Sequence, residues 1–335
     1  MKRSHRTATA LSAATLTALL IMLIAAPHPG KAILNFFTGP FSSRYYFGNM
    51  LSLAALLMIA GGGMSIAFRS GVFNLGGEGQ VYAGAFTAAM LGTILPPESG
   101  FLGIAIMVSA ASVAGAAAAG LCGLFKRFWN TDELISSFLL GQSLVYTIDY
   151  LIIGPLRDQK SFLLSTPEIS KSFWLPRLLP PSHLTPVIFI APLIAWFLYL
   201  YLFKSYRGYE LRLCGLNREF ARYGGIDVDR HLVVPMIISG ALYGIVGAFT
   251  IVGDLHMAIQ GASSGLGWNG IAVALIGANH PLLIIPAGIV FAFLQEATDT
   301  ATLSSSISME LSSIVQGVVF LFITARIVIG RRKKQ

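Results

Sequence analysis

Long apolar runs separated by short polar or glycine-rich breaks recur along the chain, at 8–26, 47–68, 79–95, 102–125, 134–155, 186–203, 232–253, 270–279, 282–298 and 309–329. A helix needs roughly 20 apolar residues to cross a hydrocarbon core about 30 Å thick. The pattern therefore predicts an all-α, polytopic integral membrane protein with about ten transmembrane helices. No window is long and polar enough for a separate soluble domain, so residues 1–335 are expected to form one transmembrane domain. The first run follows the basic opening MKRSHR as a signal peptide would. It is long for a cleaved signal, and an uncleaved first span is expected.

The run at 270–279 is short. From Gly270 to His280 a helix covers only about 15 Å, half the hydrocarbon thickness. If His280 lies at the cytoplasmic surface, the preceding stretch DLHMAIQGASSGLGWNG (254–270) must dip into the membrane from outside. Non-helical backbone survives at that depth only where protein or a water-filled cavity satisfies it.

Composition agrees with the pattern. Hydrophobic residues make up 55% of the chain and charged ones 11%, against about 25% charged in a soluble domain. Mean hydropathy is +0.71. The net charge of +8 comes from basic residues in loops that flank apolar runs, which marks membrane orientation rather than nucleic-acid binding. With the N-terminus inside and the runs alternating, Lys31, Arg44, Arg157, Lys160, Lys171 and Arg177 fall outside, and the other 17 of the 23 basic residues fall inside. Both termini are accordingly expected in the cytoplasm. Cys122 lies in an apolar run and Cys214 in a basic loop, and neither a disulfide nor a metal site is expected.

Two short stretches echo each other, LGGEG at 75–79 and LGWNG at 266–270. Each opens a membrane segment, the first entered from the cytoplasm and the second from outside. Inverted internal repeats have this relation, and their interface commonly holds the solute path between broken helices. Candidate path residues are Asn74, Gly76, Glu78, Gly79, Gln80, Trp268 and Asn269. Glu78 has two readings: a solvated carboxylate in an interfacial turn near Arg69, or a group that binds backbone donors of a broken helix or lines the path. From Gly79 to Leu95 is about 24 Å of helix, so Glu78 is expected nearer the cytoplasmic face than the second break. Trp268 can stack on a planar solute or anchor the outer interface. Gln142, Asp149, Gln295, Glu296 and Glu310 are further polar groups in or at the ends of spans, Asp149 close enough to the outside to reach water.

The longest inside loop is 204–231. In it Asn217 is a good helix cap, Arg218 to Tyr223 suit a short helix, and Gly224 is a natural stop. A short, charged, well-punctuated helix between two spans is expected to dock a cytoplasmic partner.

FNLGGEGQ (73–80), LRLCGLNREFARYGGI (211–226) followed by ISGALYGIVGAF (238–249), and GLGWNGIAVALIGANHP (265–281) together resemble the bacterial ABC-transporter permeases for nucleosides and simple sugars, a branched-chain-type permease family. The likeness covers about residues 45 to 330. It differs from the family pattern in Phe220, where a small residue is usual, and in NHP at 279–281, where a basic residue is common. The resemblance implies the membrane subunit of an importer of a small polar nutrient (nucleoside, simple sugar or flavin-like vitamin) in the bacterial inner membrane. It also implies that Asn217, Glu219, Ala221, Arg222 and Gly224 contact an ATP-binding cassette subunit. The implied partners are that ATPase, a second and non-identical permease, an external binding protein or lipoprotein, and the lipid bilayer. The sequence holds no G-x-x-x-x-G-K-[ST] loop, so ATP hydrolysis is expected in a separate chain. No cofactor, metal or enzymatic activity is expected: no His or carboxylate cluster has the spacing for metal binding or acid–base work. The alternative is an ion-coupled secondary transporter, which would want several buried midspan charges, and the spans are poor in them.

Overall fold

The computed structural model describes residues 29–304 continuously, and positions 16, 17, 23 and 317 besides. Among the described residues the helices are α1 (Pro29–Thr38), α2 (Arg44–Arg69), α3 (Gly77–Ile94), α4 (Gly100–Trp129), α5 (Glu133–Ile153), α6 (Val187–Tyr199), α7 (Tyr206–Leu216), α8 (Arg218–Tyr223), α9 (Arg230–Thr250), α10 (Leu266–Ile276) and α11 (Pro281–Ser304). α6 and α9 each run on into a π-helical turn, Leu200–Lys204 and Ile251–Leu255. The fold is all-helical as expected.

Among the described residues six helices are long and apolar enough to cross a membrane: 44–69, 97–129, 133–153, 187–204, 230–255 and 281–303. Eight runs were expected over the same stretch. The two that fall short are α3, whose first turn carries Glu78 and Gln80, and α10, only 11 residues long. The expected first and last spans, both termini and Glu310 lie outside the described residues, apart from the isolated positions above.

The bundle is built around α2 and α9, whose apolar windows are 72% buried; those of 97–129, 133–153 and 187–204 are only 22–28% buried and face outward. Lipid is as apolar as leucine, so helices in a bilayer gain by close backbone approach rather than by hiding grease from water. Small residues permit it here. A Cβ added at Gly115 would lie 2.2 Å from the Gly240 carbonyl oxygen, and one added at Gly244 2.1 Å from that of Ala111. These contacts run antiparallel along α4 and α9.

The loops gather at opposite ends. At one end the strap 154–185 lies on the exit of α9 through Leu175 N–H to Val252 O (2.9 Å), Ile169 N–H to His256 O (2.8 Å) and Thr166 N–H to Ala258 O (2.9 Å). Trp174 stacks on His256 at 3.8 Å. At the other end Arg69, Lys126, Arg212 and Arg218 come together with the ends of α2, α4, α7 and α10. These four are among the basic residues that the sequence assigns to the inside.

Candidate functional site

α2 ends at Arg69, and the chain turns at Gly71, where φ is +74°. It does not leave the bundle. Residues 70–76 climb back into it, a stretch that can reach about 3.3–3.6 Å per residue when extended. They end where Gly77 rests on Tyr243: a Cβ on Gly77 would sit 2.7 Å from the tyrosine ring. Tyr243 is halfway along the 26-residue span 230–255, about 20 Å from either end. α3 therefore starts level with the middle of that helix. This corrects the expectation that Glu78 lies nearer the cytoplasmic face, which rested on the length of α3 alone and could not count the re-entrant stretch before it.

The second break comes from the other end. After the π-turn 251–255 the chain passes Tyr82, whose hydroxyl lies 3.1 Å from Ile259 O and accepts from Gly261 N–H at 3.1 Å. The same hydroxyl donates to Asp149, so Asp149 holds this loop rather than simply reaching water. The chain then follows α3 toward its start. Gly265 N–H donates to Glu78 Oε1 at 2.8 Å, and Gly267 N–H to Glu78 Oε2 at 2.9 Å. A Cβ on Gly267 would lie 2.2 Å from Glu78 N.

The two echoes meet at this point. The first N–H groups of a helix have no partner within it and carry the positive end of its dipole. A carboxylate that takes two of them makes charge-assisted bonds. Of the two readings of Glu78, the geometry is that of a group bound to backbone donors of a broken helix. The far end of α10 is closed by Arg69, which donates to Asn279 O at 2.7 Å and Ala278 O at 3.4 Å, just before the hinge into α11.

The predicted path residues divide into two sets. Asn74 and Gln80 are 0% and 1% exposed and bonded to each other both ways, each at 2.8 Å; Asn74 also donates to Ser239 Oγ at 3.0 Å. Their amides are taken up by each other and by Ser239 in shaping the break. Gly76 and Gly79 are buried as well. A Cβ on Gly79 would lie 2.2 Å from Gly141 O, and one on Gly76 2.6 Å from Ser137 O. These glycines let α3 close on α5, and Leu75 N–H donates to Ser137 Oγ at 3.0 Å. Glu78, Trp268 and Asn269 keep partial exposure. Trp268 lies 6.1 Å from the ring of Phe138, and Asn269 donates to Gln295 Oε1 at 3.4 Å. Trp268 thus belongs to the break. Glu78, Trp268, Asn269 and Gln295 are half-buried and Phe138 is exposed, so a strip of polar and aromatic groups stands beside the break.

The sequence reading missed Ser137, Gly141, Ser239 and Tyr243 at this site. Ser137 and Gly141 stand four apart on one face of a helix, a small-xxx-small signal that was available.

The inside loop folds as its punctuation predicts. α8 runs from Arg218 to Tyr223, with the Asn217 side chain accepting from Phe220 N–H at 3.0 Å and Gly224 at its end. Asn217, Glu219, Arg222 and Gly224 are exposed. Ala221 is 1% exposed and packs with Cys214 and Val228, so it anchors the helix from its inner face. Leu216 and Tyr223, which were not singled out, and Phe220, noted only as a departure from the family pattern, are 83%, 93% and 64% exposed. They form an apolar surface beside the charges.

Residues 46–324 match the family model described as "Branched-chain amino acid transport system / permease component". The chain is 32% identical over 310 residues to the "Probable riboflavin import permease protein RfuC" of Treponema pallidum, covering 91% of this chain and 81% of that one. It is 28% identical over 323 residues to the guanosine ABC transporter permease protein NupP of Bacillus subtilis, covering 94% and 92%. The same organism's guanosine ABC transporter permease protein NupQ is 28% identical over 260 residues, covering 72% and 77%.

Proposed function

The chain belongs to the branched-chain amino acid transport system permease family and is the membrane-spanning permease subunit of an ABC importer, and from this premise we propose that its solute crosses the bilayer along the strip of Glu78, Trp268, Asn269 and Gln295. The observation that carries the reading is the Glu78 carboxylate capping α10 at mid-depth. An ionisable group at that depth is costly and is kept where it serves a path. The strip is only half covered within one chain, and polar groups do not face lipid, so a second permease closes it. That one bacterium carries two guanosine permeases, NupP and NupQ, supports a non-identical partner. Riboflavin and guanosine both join a planar heterocycle to a hydroxylated five-carbon group, an open chain in the first and a sugar ring in the second. We take that as the solute class here: the Trp268 and Phe138 rings offer a stacking surface, and the Asn269 and Gln295 amides offer partners for polar edges.

The remaining parts follow the same reading. Residues 1–335 act as one permease domain of the bacterial inner membrane, both termini cytoplasmic, as the basic-residue bias supports. An external binding protein delivers the solute and a separate cassette ATPase binds the exposed face of 217–224, so the chain is a transporter part and not an enzyme. The charges of Glu219 and Arg222 and the apolar Leu216, Phe220 and Tyr223 make that contact. The charge-reversed pair E219K and R222E should lose ATPase retention on co-purification and ATP-driven uptake with it, while the chain stays in the membrane; unchanged retention would remove the docking assignment.

Proteoliposomes holding this chain with its partners test the function as a whole. Uptake of riboflavin or a nucleoside should require ATP and the binding protein. Uptake of a simple sugar alone would move the solute class, and uptake driven by a proton or sodium gradient without ATP would replace the reading with a secondary transporter.

A further inference from the structure

A docking helix at the surface moves a solute only if its motion reaches the break at mid-depth. The chain offers a short route. Arg218, the first residue of α8, is partly exposed and reaches back toward the bundle with its guanidinium. Its Nη2 donates to Gly71 O at 2.9 Å and stands 4.0 Å from Glu133 Oε1. Glu133 is 8% exposed, and its other carboxylate oxygen lies 3.1 Å from Lys126 Nζ.

Both partners of Arg218 lead to the break. Gly71 begins the re-entrant stretch that ends at Gly77 and Glu78, with Asn74 fixed on the way by Gln80 and Ser239. Glu133 begins α5, whose Ser137 accepts from Leu75 N–H and whose Gly141 backs onto Gly79. The end of α7 adds a steric contact, since a Cβ on Gly215 would lie 2.0 Å from Arg69 O. Arg69 in turn holds the far end of α10. Arg218 thus ties a surface helix to the re-entrant stretch through a charge-assisted bond to Gly71 O, and stands within ion-pair range of the start of α5.

We propose that Arg218 is the positioning residue that transmits movement of the ATPase-docked helix α8 to the re-entrant stretch 70–78, through Gly71 and Glu133. It neither touches the solute nor forms the docking surface. The inference rests on the docking assignment of 217–224. A mechanical link differs from a merely structural one in what its loss does: a link that breaks leaves the motor running and stops the load.

The test uses the full complex in proteoliposomes, carrying R218Q or R218K, with three readouts: ATPase retained on co-purification, ATP hydrolysis, and ATP-driven uptake. For R218Q the ATPase should be retained and hydrolysis should stay within about twofold, while uptake falls by roughly tenfold or more, a loss of the size expected for one charge-assisted bond. R218K keeps the charge beside Glu133 but loses the planar fork, and its ratio of solute moved to ATP hydrolysed should lie between those of R218Q and the natural chain. Should the R218Q chain fail to fold into the membrane, that ratio in R218K decides: a value equal to the natural chain's overturns the proposal. So does a parallel fall of hydrolysis and uptake, or no fall in either. Loss of ATPase retention in R218Q would make Arg218 a docking residue, which also overturns it. The docking assignment fails separately, when E219K with R222E leaves retention intact.

Discussion

Replacing Glu78 by alanine is expected to reduce ATP-driven uptake by about a hundredfold or more while the chain still reaches the membrane. Its two carboxylate oxygens each take a backbone N–H at the start of α10, from Gly265 and Gly267. Hydrogen bonds to a charged group contribute about 1.5–3 kcal/mol each, and donors left bare at mid-depth find no water unless the path is already open. E78D keeps the charge but shortens the side chain by one methylene, so it cannot meet both donors at 2.8–2.9 Å without moving α3 toward α10. The contact has no slack for that, since Gly267 already lies against the backbone of Glu78. E78Q has one carbonyl oxygen and puts an NH2 against the second N–H. The expected order of uptake is natural chain, then E78Q and E78D, then E78A, read as initial rates normalised to protein in the membrane. E78A at full rate would return Glu78 to the role of a solvated turn.

The second large effect is expected at Gly79 and Gly76. A leucine at Gly79 starts with a Cβ 2.2 Å from Gly141 O and 2.6 Å from Gly141 Cα; at Gly76 it starts 2.6 Å from Ser137 O. The obstacles are backbone atoms of α5, which cannot swing aside as a flexible side chain would. Forcing extra methylenes into a packed site costs about 1–3 kcal/mol or more. Here that cost falls on the α3–α5 contact holding Leu75 and the break in place. G79L should abolish uptake and lower the melting temperature of the detergent-solubilised protein. G79A, with only the Cβ, should do less of both. Because the clash belongs to the pair, adding bulk from the other side should act alike: a Cβ on Gly141 would lie 2.9 Å from Gly76 Cα. Full uptake in G79L would mean that α3 and α5 do not need this approach.

Much of the architecture could be read from the chain because a bilayer leaves few options. Apolar length dictates spans, and the helices from α2 to α6 begin and end within a few residues of the expected runs. The limits of α8 were legible for a local reason: Asn217 caps through its own side chain, and Gly224 stops the helix beside it. The short α10 was legible from its length, although it starts at Leu266 rather than Gly270. Depth was not legible where it depends on what a loop does next. Nothing local tells whether 70–76 leaves the bundle or climbs back; the answer lies in Ser239 and Tyr243, far along the chain. For the same reason Asn74 and Gln80 looked like path residues by their polarity, when each satisfies the other. The echo of 75–79 and 266–270 was visible as a likeness of sequence. That the two stretches touch is a tertiary fact, carried by a carboxylate on one and bare glycine N–H groups on the other. Ala221 illustrates the converse, since its position within a docking motif says nothing of which face of a six-residue helix it occupies.

The account stands on water and solute reaching the junction of the two broken helices at mid-depth. The direct measurement is thiol labelling of N269C, in a background with Cys122 and Cys214 replaced by serine, within the assembled complex. Asn269 is half-buried beside the Glu78 junction and touches Gln295. A charged, membrane-impermeant thiol reagent should modify N269C, and saturating transported solute should slow that modification. Modification by a lipid-soluble maleimide alone, with no reaction toward the charged reagent in any nucleotide state, would place this strip against lipid or sealed protein and contradict the account.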